Sequence, residues 1–282
     1  MIRLCAFADE SDSSLLGQID ALKRNGISLL EIRVVDGENI FNVSLEKAQE
    51  IYKTLSENDI KVWSIGSPVG KVFMEADFEE YLPKVERLFK IANILHTDKI
   101  RIFSFFNAYD KKEEVFSRLQ RMVDLAKSYG VELYHENEKD IYGDSVERTV
   151  EILDNVKGIK CVYDPANFIQ YGVTADHSLS RLHHRADYFH IKDVVAETGE
   201  LVPAGEGSGN IDKLVADITI DTVLTLEPHL AIFDGYKSID NTEMKNKYVF
   251  NSNKEAFDCA VNSLKKVLLR NGYKEVDGGY SK

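Results

Sequence analysis

Tyr134-His135-Glu136-Asn137, Tyr163-Asp164-Pro165-Ala166-Asn167, Phe189-His190-Ile191-Lys192-Asp193 and Leu226-Glu227-Pro228-His229 each close a short apolar run with side chains able to hold a cation or move a proton. Four such endings would be wasteful as mere caps. Glu136, Asp164, His190 and Glu227 stand 28, 26 and 37 positions apart, close to one strand-plus-helix unit each, so a wound parallel sheet brings all four to the same rim. An open, doubly wound sheet also contains many such units. Only a closed ring, however, aims the ends of consecutive strands at one shared centre. No Gly-x-Gly-x-x-Gly follows the first apolar run, so the dinucleotide fingerprint of the open alternative is missing. The sequence therefore predicts an α/β fold, a single (β/α)₈ TIM barrel.

The alternation extends to both ends of the chain. Apolar, β-branched runs occur at Ile2 to Phe7, Leu29 to Val34, Lys61 to Ile65, Lys99 to Phe103, Val131 to His135, Lys160 to Tyr163, Asp187 to Ile191 and Thr222 to Leu226. Segments of helical periodicity separate them near residues 13–25, 44–58, 78–95, 112–129, 144–155, 176–184, 210–217 and 253–271. Asn25-Gly26 and Tyr129-Gly130 supply the glycine that a left-handed helix end favours before a strand, and Asp144 and Ser145 supply N-cap oxygens for the fifth helix. No linker, low-complexity tract or second period interrupts the pattern, so residues 1–282 are expected to form one barrel domain. The stretch from His229 to Asn253 is expected to cover the mouth, and the tail from Asn271 to Lys282 to fray.

With 282 residues, 44% hydrophobic and 29% charged, the chain has material for a large core and no compositional case for disorder. Its formal charge of −12 opposes binding to a phosphate backbone, which argues against nucleic acid as a partner. Cys5, Cys161 and Cys259 are widely spaced and read as reduced, two of them in apolar runs where a thiol packs as a small hydrophobe. No window approaches the roughly 18 consecutive apolar residues of a membrane span, and no cleavable leader opens the chain. A soluble, cytoplasmic protein without a membrane partner is the expectation.

Three carboxylates and one imidazole suit a divalent ion such as Mn²⁺, Mg²⁺, Co²⁺ or Zn²⁺, and the lack of a thiolate argues against structural zinc. In these residues the chain resembles the xylose isomerase-like barrels, which include sugar epimerases, hydroxypyruvate isomerases, inosose dehydratases and apurinic endonucleases. Leu226-Glu227-Pro228-His229 is similar to that family's last-strand Glu-Pro signature, and His190-Ile191-Lys192-Asp193 to its seventh-strand motif. Pro203-Ala204-Gly205-Glu206-Gly207 is similar to the glycine-rich turn that follows. The resemblance implies that Glu136, Asp164, His190 and Glu227 are the metal ligands, with Asn167 standing where many epimerases have a histidine. Endonucleases of the family bind three zinc ions through further histidines on early strands. Here the corresponding ends read Ala8-Asp9-Glu10, Arg33 and Ser64-Ile65-Gly66, without histidine, which disfavours a nuclease. Such barrels often pair over their mouths; whether this chain forms a homo-oligomer stays open.

Moving a proton at a carbon beside a carbonyl requires stabilisation of the enediolate oxygens, which a chelated divalent ion provides as a Lewis acid. One group must take the proton and another return it, and Glu136 and Glu227 are the candidates, held ionised by a nearby cation. Asn167, Lys192, Arg33, His229 and Glu206 are the candidate substrate contacts, although Arg33 is equally suited to pairing with Glu10 or Glu31. His135 should alternate away from the barrel axis, His183 and His184 belong to an outer helix, and Glu138, Lys139 and Asp140 read as a solvated loop. Trp63 and Phe105 either wall the substrate or pack. The expected function is that of a metal-dependent isomerase or epimerase of a small sugar, sugar phosphate or hydroxy-keto acid. The alternatives are a polyol dehydratase on the same metal site and a non-catalytic sugar-binding barrel.

Overall fold

A computed structural model describes residues 1–233 and 244–282. Eight parallel strands, β1 (Ile2–Ala6), β2 (Leu29–Ile32), β3 (Lys61–Gly66), β4 (Lys99–Ile102), β5 (Glu132–Glu136), β6 (Lys160–Tyr163), β7 (Tyr188–Ile191) and β8 (Thr222–Leu226), neighbour one another in sequence order. The ring closes where β1 pairs with β8, from Ile2 opposite Thr222 to Ala6 opposite Leu226. This is the expected TIM barrel, each strand within one or two residues of its apolar run. The helices include α1 (Leu15–Arg24), α2 (Leu45–Ser56), α3 (Phe78–Ile94), α4 (Lys112–Ser128), α5 (Val146–Asn155), α6 (Pro165–Gln170), α7 (Ala175–Leu182), α8 (Ile211–Ala216) and α9 (Asn253–Arg270). Among the described residues, no helix is long and apolar enough to cross a membrane.

Side chains alternate across a strand, and this parity sorts the barrel. Ile2, Leu4, Ala6, Leu30, Ile32, Ile100, Ile102, Leu133, Phe189, Ile191, Leu224 and Leu226 join the core between strands and helices. The other parity begins at the bottom with an apolar plug of Cys5, Leu29, Tyr134, Val162, Tyr188 and Val223, on which Trp63 packs. Two residues further along the same strands stand Phe7, Glu31, Glu136, Asp164, His190 and Thr225, and two beyond those come Asp9, Arg33, Lys192 and Glu227. A strand that is apolar below and polar above thus lifts its charged residues towards the C-terminal mouth. The pairing of β2 with β3 slips from Leu30 opposite Val62 to Glu31 opposite Ser64, so that Trp63 is the extra residue of a bulge.

Two expectations need correction, and one open alternative resolves to packing. The chain after Asp164 does not wait for the next predicted helix but turns at once into α6: Asp164 caps it and Pro165 sits in its first turn, where proline's missing N–H is not needed. The tail does not fray. Lys274–Val276 and Gly279–Ser281 form a hairpin through Asp277 and Gly278, both at positive φ (48° and 74°), as a two-residue hairpin turn demands, and Tyr280 pairs with Ile2 of β1. Trp63 and Phe105 do not wall the mouth. Trp63 lies at the opposite end, beneath Arg3 and Lys99, and Phe105 is buried against Phe78 in the helix layer. The segment expected over the mouth lies partly outside the described residues; of its described part, Asn246 Nδ2 donates to the His229 carbonyl and Asn253 Nδ2 to that of Ile232.

Candidate metal centre

Glu136, Asp164, His190 and Glu227 are all buried, and one ligand atom from each lies within 4.8 Å of those of the other three. His190 Nδ1 is 2.9 Å from Glu136 Oε1 and 3.4 Å from Glu227 Oε2. Atoms bound to one cation at about 2.1 Å are separated by roughly 3–4 Å, so this spacing fits a shared ion. Asp164 divides its oxygens. Oδ1 accepts from the amides of Ala166 and Asn167 at the start of α6, while Oδ2 is buried without a hydrogen-bonded partner, 3.1 Å from Lys192 Nζ. The backbone of Asp164 is locked by a paired exchange with the Asn137 amide, at 2.8 and 3.0 Å. An orphaned carboxylate oxygen aimed at two other carboxylates and an imidazole is the donor set of a hard or borderline divalent cation.

The charges agree. Burial pushes the Asp164 carboxyl up to about 7; Lys192 counteracts this, but Glu136 and Glu227 add repulsion. Burial opposes charge on His190, yet Glu136 and Glu31 outweigh it and raise its pKa well above the ordinary value. Burial also works against ionised Glu227, but Lys192 and His190 win and hold it well below the usual carboxylate range. A divalent cation would hold all three carboxylates ionised and take the place of the proton on His190 Nδ1.

Of the expected substrate contacts, four reach this centre. Asn167 Nδ2 is 3.3 Å from Glu136 Oε1 and donates to the Asn137 carbonyl at 2.9 Å. Lys192 Nζ lies 3.7 Å from Glu227 Oε2 as well as beside Asp164. Arg33 donates to Glu227 Oε1 at 2.7 Å and doubly to Asp9, and sits 3.3 Å from Glu10; of the two pairing alternatives for Arg33, it takes Glu10 and not Glu31. His229 Nε2 is 3.4 Å from Glu10 and 3.7 Å from Glu227. Glu206 is not brought in: it is exposed and accepts from the Tyr248 hydroxyl. Its loop is tied down instead by Asp193, whose carboxylate collects the amides of Val194, Gly205, Gly207 and Gly209 at 2.8 to 3.0 Å. A Cβ on Gly207 would lie 2.4 Å from that carboxylate, which is why the turn is glycine-rich.

His135 points away from the axis as expected, its Nε2 3.0 Å from Ser104 Oγ; burial pushes its pKa down to about 3, so it is neutral. Glu138 is not solvated but half-sheltered in an ion pair with Lys71 at 2.8 Å. Sequence reasoning missed Asp9, Glu31, Asn137 and Arg101. Arg101 Nε lies 3.3 Å from Glu136 Oε2 without a hydrogen bond, its guanidinium over the ring of Phe103. The signal was present: Glu31, Arg33 and Arg101 have the inward parity of their strands.

The sequence profile of the xylose isomerase-like TIM barrel family matches residues 19–241. The chain belongs to the xylose isomerase-like TIM barrel family. This xylose isomerase-like barrel is 23% identical over 257 residues to 3-dehydroshikimate dehydratase of Bacillus anthracis, covering 82% of this chain and 89% of that protein. Among solved structures, the IOLI protein with a bound zinc atom matches with a TM-score of 0.72 and 18% identity, covering 95% of this chain and 99% of that one. D-allulose 3-epimerase from Methylomonas sp. matches with a TM-score of 0.71 and 15% identity, covering 94% and 98%. The two structural likenesses are likenesses of fold; of the three relatives, one is a dehydratase, one holds zinc and one is an epimerase.

Proposed function

We propose that this xylose isomerase-like barrel is a divalent-metal-dependent isomerase or epimerase of a small sugar, sugar phosphate or hydroxy-keto acid, moving a proton at a carbon next to a carbonyl. The observation that carries the reading is the disposition of two glutamates. Glu136 on β5 and Glu227 at the end of β8, with β6 and β7 between them, each turn one oxygen to His190 and the other to a guanidinium, Arg101 and Arg33 respectively. A divalent cation held by Glu136, Asp164, His190 and Glu227 would supply Lewis acidity to neighbouring substrate oxygens. Glu227 Oε1 is engaged by Arg33 at 2.7 Å, whereas Glu136 Oε2 has only the loose Arg101 contact, so Glu136 is the less encumbered base and Glu227 the partner that returns the proton. Asn167 holds Glu136 Oε1 in place. Lys192 and Arg101 orient substrate oxygens, and the hydrogen-bonding capacity Arg101 leaves unused suits a carboxylate or phosphate.

One observation favours a second reading, dehydration of a cyclic polyol: the similarity to a 3-dehydroshikimate dehydratase. It begins with the same proton removal. The neighbouring hydroxyl then leaves as water with the proton that the glutamate base took from carbon, and a carbon–carbon double bond remains. The test is a screen of ketoses, sugar phosphates and 3-dehydroshikimate in D₂O with protein loaded with Mn²⁺, Co²⁺, Mg²⁺ or Zn²⁺. Deuterium at the isomerised carbon without loss of water supports the first reading, and loss of water the second. Binding of a sugar with no exchange under any metal overturns both. Glu136→Gln and Glu227→Gln are each expected to lower exchange by about 10²–10⁴-fold, the usual worth of a general base, with circular dichroism unchanged.

A further inference from the structure

Level with Glu136 and His190 stands a further buried acid, Glu31, joined by Ser64 and by the hydroxyl of Tyr188 from the layer below, all shielded from solvent and none of them used by the proton transfer described above. The two ring nitrogens of His190 face different carboxylates. Nδ1 faces Glu136 and Glu227, while Nε2 lies 3.2 Å from Glu31 Oε2. The other oxygen of Glu31 accepts the Tyr188 hydroxyl at 2.9 Å, and that hydroxyl is 3.4 Å from Ser64 Oγ. The bulge at Trp63 sets Glu31 opposite Ser64, and the rings of Phe7 and Tyr188 stand edge-on to the imidazole at 5.2 and 5.5 Å, fixing its plane.

A neutral imidazole donates from one nitrogen and offers a lone pair from the other, and its neighbours decide which is which. A carboxylate without a proton can only accept, so it selects the tautomer with the hydrogen on the nitrogen it faces. Both ring nitrogens face carboxylates here, but a cation held by Glu136, Asp164 and Glu227 would take the Nδ1 side, and Nε2 would then be the nitrogen left facing an acceptor, Glu31. The lone pair is then left on Nδ1, aimed at the space shared by Glu136, Asp164 and Glu227. Both oxygens of Glu31 are engaged, and it stands across the ring from the other three carboxylates, so it acts through His190.

We propose that Glu31 is the positioning carboxylate of the metal centre: by accepting from His190 Nε2 it sets the tautomer and orientation that make Nδ1 a metal donor. This rests on the metal reading above, and the experiment separates the two. Zinc affinity is measured for the full-length protein by competition with a chromophoric chelator, alongside long-range ¹H–¹⁵N spectra of the zinc-loaded, ¹⁵N-histidine-labelled protein. The expected spectrum has the proton on His190 Nε2 and zinc on Nδ1. Glu31→Leu should weaken zinc binding by about 10–100-fold, the usual cost of losing such a partner, and Glu31→Gln, which keeps an acceptor, by less. Glu31→Leu added to His190→Ala should cost nothing further, which a merely structural role would not produce. If Glu31→Leu fails to fold, the wild-type tautomer and the affinity of Glu31→Gln still decide. A proton on Nδ1 with zinc on Nε2, or additive losses in the double variant, overturns the proposal. Zinc binding unaffected by His190→Ala overturns the metal reading itself, and the proposal with it.

Discussion

Replacing Arg33 by Met removes the guanidinium that stands between Asp9, Glu10 and Glu227 while keeping apolar bulk between the rings of Phe7 and Phe233, whose centroids lie 4.2 and 5.1 Å from the arginine carbon. Deleting one partner of a buried ion pair costs about 3–5 kcal/mol, because the other charge is left without compensation. Three carboxylates lose their partner here. Glu10, whose carboxyl burial pushes up to about 8 even beside Arg33, is already largely protonated at pH 7, so the loss falls on Asp9 and Glu227. The expected cost is therefore near the upper end, about 5 kcal/mol. A chain of this length unfolds with roughly 0.6 kcal/mol/K of entropy, so the melting temperature in chelator should fall by about 8 °C. Arg33 stands beside the ligand atoms of Glu10, Glu227 and His229, which lie within 4.8 Å of one another, so in its absence a second cation is expected to take its place there. Metal at a hundred times its dissociation constant should then restore about 2.7 kcal/mol, or some 4–5 °C. The assay is thermal unfolding in chelator and in metal, with elemental analysis. One equivalent per wild-type chain and two per Arg33→Met chain are expected. A variant that melts with the wild type, or a wild type holding two ions, would refute the view that Arg33 fills the place of a second cation.

His190→Ala should lower metal content several-fold by elemental analysis while the barrel persists by circular dichroism; full occupancy would count against His190 as a ligand. Asp193→Ala leaves four loop amides without their acceptor and should cost about 3 kcal/mol, read as a lowered melting temperature together with rapid proteolytic cleavage between residues 203 and 210. Asp258, which joins α9 to α1 by accepting from Arg24 and Asn25, has its pKa lowered because those donors outweigh its partial burial. A depressed carboxylate stabilises the fold above its ordinary pKa and loses that contribution as the pH falls through the folded value. Asp258→Asn should therefore cost up to about 1 kcal/mol in urea unfolding at pH 7, with the difference shrinking as the pH falls below about 3.9. An effect independent of pH would rule out the ion pair as its source.

The ring of strands was legible because two independent periods coincide: the spacing of strand and helix, and the alternation that lifts Glu136, Asp164, His190 and Glu227 to one rim. What was not legible depended on details that alternation does not carry. Glu31 reads as one acid in an apolar run, and only the position of Tyr188 and His190 across the barrel makes it a partner. Alternation gives Arg101 its inward direction, but only Glu136 on the neighbouring strand gives it a partner. Glu206 was misread because a glycine-rich turn has no period, and its direction is set by Asp193 drawing three glycine amides inward. The terminal hairpin, by contrast, does carry a local signal, since Asp277-Gly278 is a strong two-residue turn; what the chain itself does not reveal is that Tyr280 finds the N-terminal end of β1 at Ile2, ahead of the point where β2 begins to pair.

Asp9, Glu10, Glu31, Glu136, Asp164 and Glu227 are buried together with Arg33, Arg101 and Lys192. Ionisable groups at this depth are rare unless paired, and so many held together create fields that the fold must tolerate. The layer below them shows how. Cys5, Leu29, Tyr134, Val162, Tyr188 and Val223 close the barrel with apolar contacts on the same strands, so the backbone that carries the charges is held by packing and by the ring of ladder hydrogen bonds. A site supported in this way does not depend on its own charge balance to keep its shape. The placement of Arg33 and Lys192 on either side of Glu227 adds a second restraint: each anchors a carboxylate oxygen at the edge of the cluster, so that the ligand atoms of Glu136, Asp164, His190 and Glu227 keep facing one another across a shared space.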